Sequence, residues 1–130
     1  MIQYSLLDRR PEEEMLDLLG KNDIAVMVRG AVAKGLLIDK PSKDYLGHSA
    51  DEVYQAQTLI NQQSGETRSP AQTSMQYVLR HSAVSSAVVG IRTEAQLNDA
   101  IKTATASQLT EEEYKNLGKS VAARIYEKHR

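Results

Sequence analysis

The stretch from Val84 to Ile101 contains residue types that bind phosphate when they are spaced in this way. An apolar run ends at Gly90, Arg92 follows, and Thr93 opens a predicted helix. A glycine lets a ligand approach the backbone, and a guanidinium can fork onto phosphate oxygens. A helix start adds free N–H groups and the positive end of the helix dipole. An ordinary turn with a solvated arginine and a capping threonine explains the same residues, and spacing alone favours that plainer interpretation.

A second candidate site follows the apolar run Ile24–Val28, which predicts a strand buried on both faces. The next residues are Arg29, Gly30, Ala31, Val32, Ala33, Lys34 and Gly35. The two glycines bracket small residues, so a flat ligand could lie against the backbone, and parallel α/β folds place their sites just past such strands. A surface loop with two basic residues is the alternative. Lys40 is a lone lysine, for which the pattern alone predicts only a solvated side chain.

Catalytic and metal-binding patterns are weak in this sequence. The acidic triplets at residues 12–14 and 111–113 lie in predicted first helical turns, where they compensate the helix dipole. The three histidines lack a second ligand at metal spacing, and the serines lack the surroundings of a nucleophile. We therefore predict no catalytic residue and no metal site.

The elements that would position the two candidate sites alternate between strand and helix. Predicted strands cover Ile2–Leu7, Ile24–Val28 and the apolar run before Gly90; predicted helices start at Pro11, Ser49, Ser69, Thr93 and Thr110, the last continuing through Val121 and Ile125. This alternation predicts the α/β class with parallel βα units.

Length and composition limit the function classes. The 130 residues predict a single domain, 1–130. A net charge of −1 argues against nucleic acid and anionic membranes as partners, and the chain has no apolar run near the roughly 20 residues of a membrane span. The absence of cysteine and of a signal peptide fits a cytoplasmic protein.

A parallel sheet of three strands has two open edges, which seek partners. The first predicted strand begins at residue 2 with no element before it. We therefore expect the chain to be a piece of something larger, with its edges satisfied by a second copy, by a missing N-terminal part, or by a rearranged fold.

Four segments, taken together, resemble one known family. YSLLDRRPEEE, VRGAVAKGLL, SPAQTSMQYVLRHSAVSSAVVGIRTEAQL and LTEEEYKNL look, in this order, like the C-terminal portion of an aldo-keto reductase, with bacterial members that have DRRPEE and RG-x-x-A-x-GLL motifs as the best match. The resemblance covers nearly the whole chain. It implies a partial (β/α)8 TIM barrel made of roughly strands 6 to 8 and a C-terminal helix, from a family that reduces aldehydes and ketones with NADPH.

The resemblance also implies which residues hold the cofactor around the family's seventh strand. Arg29 stands at the end of that strand, where many members have an aromatic or aliphatic residue. The segment that wraps the pyrophosphate corresponds to Gly30, Ala31, Val32, Ala33 and Gly35. Lys40 resembles a lysine that some members place near the phosphates. Tyr4 is a candidate for the aromatic residue that stacks on the nicotinamide.

The family's last strand has its own signature, which Gly90, Arg92, Gln96 and Asp99 match. The resemblance implies that Arg92 meets the 2′-phosphate and so favours NADPH over NADH. Ala100 stands where the family usually has an asparagine that reaches the adenine, so that contact is missing.

The family's catalytic Asp, Tyr, Lys and His belong to earlier strands, and the tyrosines and lysines of this chain do not match those motifs. We therefore expect the chain alone to be inactive, as the cofactor-binding part of a reductase. The alternative is a non-catalytic module that self-associates or complements a missing part through its open edges.

Overall fold

The computed structural model of the chain describes residues 1–128. Within them, three strands are formed by Ile2–Gln3 (β1), Val26–Arg29 (β2) and Val84–Val88 (β3). The α-helices are Met15–Lys21 (α1), Ala50–Ser64 (α2), Pro70–Leu79 (α3), Glu94–Ile101 (α4) and Glu111–Ser120 (α5). Short 3-10 turns lie at Arg10–Glu12, Ala33–Gly35 and Lys102–Ala104.

The strands form one sheet in the order β1-β2-β3, and both pairings are parallel. Ile2 pairs with Val28 and Gln3 with Arg29, while Arg29 also pairs with Val88 on its other side. The predicted α/β class and its parallel arrangement are confirmed. The helices between the strands supply the long crossovers that parallel pairing requires.

Helices cover one face of the sheet, and the other face is open. Val26 and Val28 are buried in the core, whereas Met27 is 45% exposed and Arg29 also faces solvent. The prediction of a strand buried on both faces is therefore wrong. Side chains alternate along a strand, and within residues 1–128 only the side of Val26 and Val28 is covered by helices.

The helix starts follow the capping chemistry of the sequence. Ser49, Ser69 and Thr110 each accept a bond from the backbone of the third residue of their helix, whose own side chain bonds back to the cap. Such capping boxes fix where α2, α3 and α5 begin. None of the helices in the described residues is long and apolar enough to cross a membrane.

The helix predicted from Pro11 begins as the 3-10 turn Arg10–Glu12, and α1 itself starts at Met15. Two further predicted elements end earlier than expected. Strand β1 ends at Gln3 because residues 5 to 8 form a turn, in which Ser5 and Asp8 exchange backbone hydrogen bonds of 3.2 and 3.0 Å. Helix α5 ends at Ser120, and Val121 is extended, so the predicted continuation through Ile125 is wrong. The guanidinium of Arg9 donates to the carbonyl oxygens of Gly118 and Val121, which satisfies this helix end without another turn.

Candidate functional site

Both candidate loops leave the sheet at the same edge. Arg29 and Val88 are register partners at the carboxyl ends of β2 and β3, so residues 30–35 and 89–92 start side by side. Ligand sites of open parallel sheets lie at this edge. The fold thus brings together two loops that are more than 50 residues apart in the sequence.

The first loop, residues 30–35, has an unusual backbone. Gly30 and Gly35 have φ values of 80° and 91°, and between them Ala33 and Lys34 have φ values of 48° and 58°. Hydrogen bonds from the Ala33 N–H to the Gly30 carbonyl and from the Gly35 N–H to the Val32 carbonyl, both 2.8 Å, close two successive turns. The two turns fix the backbone of the loop, and its own side chains Ala31 and Ala33 are buried in the core.

Lys40 lies over the end of this loop. A Cβ on Gly35 would come within 3.1 Å of Cδ and Cε of Lys40, so the lysine stem occupies the space that the glycine leaves. Gln57, a residue of α2 that no sequence motif marks, donates 3.0 Å bonds to the carbonyl oxygens of Leu36 and Lys40. These bonds tie the segment that follows the loop to helix α2.

The second loop presents an arginine at a capped helix start. Thr93 caps α4 by accepting a 3.2 Å bond from the Gln96 N–H, and the Gln96 side chain accepts a 2.8 Å bond from the Arg92 N–H. The Arg92 side chain is exposed and, within residues 1–128, has no hydrogen bond or ion pair. Gly90 has open space within 4 Å of where a Cβ would be, and its φ is not positive. The fold itself therefore does not require a glycine at position 90.

Asp99 is turned toward helix α3. Its two carboxylate oxygens accept bonds of 2.7 Å from the Ser69 hydroxyl and 2.8 Å from the Gln72 amide. Both partners belong to the N-terminal turn of α3, so Asp99 joins α4 to α3. Gln96 likewise uses its amide oxygen within the chain, which leaves Gly90 and Arg92 as the open part of the second loop.

A polar network that the sequence pattern does not predict lies beside Arg29. Nη1 of Arg29 donates to Oε1 of Gln3 at 2.9 Å, and Nε2 of Gln3 donates to Oδ2 of Asp8 at 2.9 Å. Arg10 donates to both oxygens of Asp8, at 2.7 and 2.8 Å, and this hydrogen bonding raises the pKa of Arg10. Burial and the nearby Asp8 raise the pKa of Tyr45, whose hydroxyl lies 3.5 Å from Nε2 of Gln3. The acidic and basic residues of the DRR motif were the available signal.

The side chain of Tyr4 lies on the core side of the sheet, away from the candidate site. Its side chain is fully buried, and its hydroxyl donates to Oε1 of Glu12 at 2.8 Å. Burial is the main reason that the pKa of Tyr4 and that of Tyr77, which donates to the same oxygen, are raised. Because neighbouring residues of an extended chain face opposite ways, Gln3 occupies the open face and Tyr4 the core. The expectation that Tyr4 stacks on a nicotinamide is wrong for this geometry.

Comparison with known proteins identifies this arrangement. Residues 1–122 match the model of the aldo/keto reductase family. An uncharacterized oxidoreductase of Bacillus subtilis is 40% identical over an alignment that covers 100% of this chain and 45% of the relative. A pyridoxal 4-dehydrogenase of Microbacterium luteolum is 31% identical, with 76% of this chain and 30% of the relative covered. The chain thus spans less than half the length of the curated relatives it matches.

Solved structures agree with the family match. An aldo-keto reductase from Bacillus halodurans, in its holo form, superimposes with a TM-score of 0.84 at 34% identity over 99% of this chain and 44% of that one. A glycerol dehydrogenase from Gluconobacter oxydans gives a TM-score of 0.75 at 20% identity, over 91% of this chain and 40% of that one, and shows likeness of fold alone.

Proposed function

This chain belongs to the aldo/keto reductase family and folds as part of that family's TIM barrel, and we propose that it is the NADPH-binding C-terminal portion of an oxidoreductase that reduces aldehydes and ketones. NADPH, when bound, supplies the hydride for that reduction. The residues of this chain bind and orient the cofactor, and the proton donor belongs to the rest of the barrel. The chain forms one domain, resides in the cytoplasm, and by itself reduces no carbonyl compound.

One observation carries the cofactor proposal. At the carboxyl ends of β2 and β3, the guanidinium of Arg92, which has no partner among residues 1–128, lies next to Gly90 and the capped start of α4. Arg92 binds the 2′-phosphate of NADPH by charge-assisted hydrogen bonds, and the first-turn N–H groups of α4 that Thr93 does not cap add to the same positive end. The open space at Gly90 lets a phosphate approach the backbone.

The first loop and its neighbours complete the site. The backbone of Gly30, Ala31, Val32, Ala33 and Gly35 borders the pyrophosphate, and Lys40 adds a positive charge near it. Arg29 lies at the nicotinamide end, where its flat guanidinium can stack on the ring. Gln96 and Asp99 act indirectly in this proposal, because their side chains hold the start of α4 in place.

The experiment is a fluorescence titration of the purified full chain with NADPH and with NADH. We expect Arg92→Met to weaken NADPH binding by about tenfold to a hundredfold, the value of one charge-assisted hydrogen bond, and to leave NADH binding nearly unchanged. Lys21→Met is the matched control. This exposed lysine ends α1, which leads into the amino end of β2, so it lies at the opposite ends of the strands from Arg92. An unchanged NADPH-to-NADH ratio in Arg92→Met would refute the phosphate role of Arg92.

A substitution of Gly90 provides a second, independent test of the cofactor site. Because the fold leaves room for a side chain there, Gly90→Ala should keep the stability of the chain and weaken only NADPH binding. Equal binding by this variant would remove Gly90 from the site. A contaminant-free sample of the chain that reduces an aromatic aldehyde with NADPH would overturn the proposed lack of activity.

A second candidate function is association through the open sheet. Within residues 1–128, β1 and β3 each pair on one side only, and the open face carries exposed Met27 and Val88. A mostly apolar cleft of about 350 Å³ also lies between β3, α3 and α4. In this interpretation the chain docks on a second copy or on a missing N-terminal part of the barrel. The isolated chain then does not have to bind NADPH.

A further inference from the structure

Arg29 is joined to the buried turn after β1 by a directional series of hydrogen bonds. The guanidinium of Arg29 donates to Oε1 of Gln3, and Nε2 of Gln3 donates to Asp8, each at 2.9 Å. The orientation of the Gln3 amide is fixed by these two neighbours. A flipped amide would place its NH₂ against a guanidinium, which only donates, and its oxygen against a carboxylate, which only accepts.

The far end of this series is rigidly held. The Asp8 side chain is fully buried, and both its oxygens accept bonds from Arg10, at 2.7 and 2.8 Å. A buried carboxylate that is paired in this bidentate way is costly to move, because any displacement leaves a charge without a partner. Asp8 therefore serves as a fixed anchor for Gln3.

Gln3 is also held by packing. Gly30 has a φ of 80°, and a Cβ at that position would lie 3.2 Å from Cγ of Gln3. The stem of Gln3 thus lies across Gly30, close to the backbone. Arg29 itself is exposed, so its bond to Gln3 adds little to the stability of the fold. The series therefore ends on an exposed side chain at the carboxyl end of β2.

We propose that Gln3 and Asp8 are positioning residues that hold the guanidinium of Arg29 in one orientation at the carboxyl end of β2, where it meets the nicotinamide end of the cofactor. The identity of that ligand rests on the proposed function. The benefit is preorganisation: an arginine that is already ordered loses less side-chain freedom when a flat ring stacks on it. Gly30 contributes by leaving the space that Gln3 occupies.

The positioning itself is tested without any ligand. ¹⁵N relaxation of the Nε–H group of Arg29 is measured in the full chain and in Gln3→Met, which keeps the length of the side chain and removes both bonds. We expect a clear fall in the order parameter of Arg29. Tyr45→Phe, which removes only the 3.5 Å contact of Gln3, is the matched control and should change nothing. An unchanged order parameter in Gln3→Met overturns the proposal, whether or not the chain binds NADPH.

The ligand arm is a double-mutant cycle on the NADPH dissociation constant. Gln3→Met should weaken binding several-fold, Arg29→Met should weaken it at least as much, and the double variant should match Arg29→Met alone. Independent, additive losses would mean that Gln3 acts other than through Arg29 and would overturn the proposal. If the unmodified chain binds no NADPH, the proposed function fails, and the relaxation measurement still decides the positioning role. Asp8→Asn, in a chain that circular dichroism shows to be folded, should also lower the order parameter of Arg29, and an unchanged value would remove Asp8 from the series.

Discussion

Tyr4 and Tyr77 share a single acceptor, because both hydroxyl groups donate to Oε1 of Glu12, at 2.8 and 3.0 Å. The other oxygen of Glu12 accepts a 2.9 Å bond from Nε of Arg9, whose Nη1 also reaches the end of α5. The Tyr77 ring stacks on Tyr114 of α5 at 5.0 Å. The acidic end of the DRRPEE motif therefore joins the first turn of the chain to α3 and to the C-terminal helix, and its role is structural.

Removal of one of these hydroxyls should lower stability modestly. Tyr77→Phe leaves the buried ring in place and deletes one donor to a charged oxygen, so we expect a loss of about 1.5–3 kcal/mol in the free energy of unfolding. Tyr54→Phe is the control, since Tyr54 is 61% exposed, and should cost almost nothing. Urea unfolding followed by circular dichroism measures both. Equal midpoints for the two variants would show that the shared acceptor does not stabilise the fold.

Substitution of Gly30 should lower the free energy of unfolding by more than the strain of its backbone angle alone. Gly30→Ala places a side chain at a φ of 80° and against Gln3, whereas Gly47→Ala meets a similar φ of 83° with Nε of Arg124, at 4.0 Å, as its nearest neighbour. The strain of a left-handed non-glycine residue is about 1 kcal/mol, and the Gln3 contact should add to it for Gly30→Ala only. Chemical denaturation of both variants tests this. A Gly30→Ala chain as stable as the Gly47→Ala chain would argue against a close packing of Gln3 on Gly30.

The buried histidine predicts a pH dependence of stability. Burial, and secondarily Arg124, lower the pKa of His48 below its ordinary value of 6.5. A lowered pKa means that the unfolded chain takes up the proton first, so the contribution of neutral His48 is complete above about pH 6.5 and is lost as the pH falls through the folded-state pKa. Unfolding free energies at pH 7.5 and at pH 5 should therefore differ less in His48→Gln than in the unmodified chain. Parallel pH curves for the two proteins would contradict this.

The open face of the sheet should make the chain self-associate. Met27 and Val88 lie on that face and are 45% and 41% exposed, and the strand edges beside them are unpaired within the described residues. We expect concentration-dependent sedimentation, which Met27→Lys combined with Val88→Lys should shift toward the monomer. Leu18→Lys, on α1 and 60% exposed, is the control and should leave the association unchanged. A compact monomer at every concentration would argue against edge pairing.

Local chemistry explains why much of the fold could be predicted. The capping residues Ser49, Ser69 and Thr110 mark helix starts by bonds within four residues, and these starts are confirmed. The alternation of strands and helices likewise predicts the parallel sheet, and the resemblance to the family is confirmed by the family match. The cofactor role of the residues around Arg29 and Arg92 stays a prediction.

Contacts between distant residues account for what the sequence did not predict. The end of α5 depends on Arg9, more than 100 positions earlier, and the burial of Tyr4 depends on Glu12 and Tyr77. Periodicity does not reveal such partners, so the pattern predicted a longer helix, and the resemblance to the family placed Tyr4 against the cofactor. The exposure of Met27 has a similar cause. A run of apolar residues predicts burial on both faces, whereas the described part of the chain covers only one.

The bonds among Gln3, Asp8 and Arg10 also bear on the order in which the chain folds. They close loops of only a few residues, which costs little chain entropy, whereas the pairing of β1 with β2 joins residues 26 positions apart. We expect this corner to be populated early during refolding and the sheet to form afterwards, since distant contacts are slow to form. Arg29 then packs against side chains that are already in place. The refolding kinetics and the geometry of the proposed site therefore depend on the same few side chains.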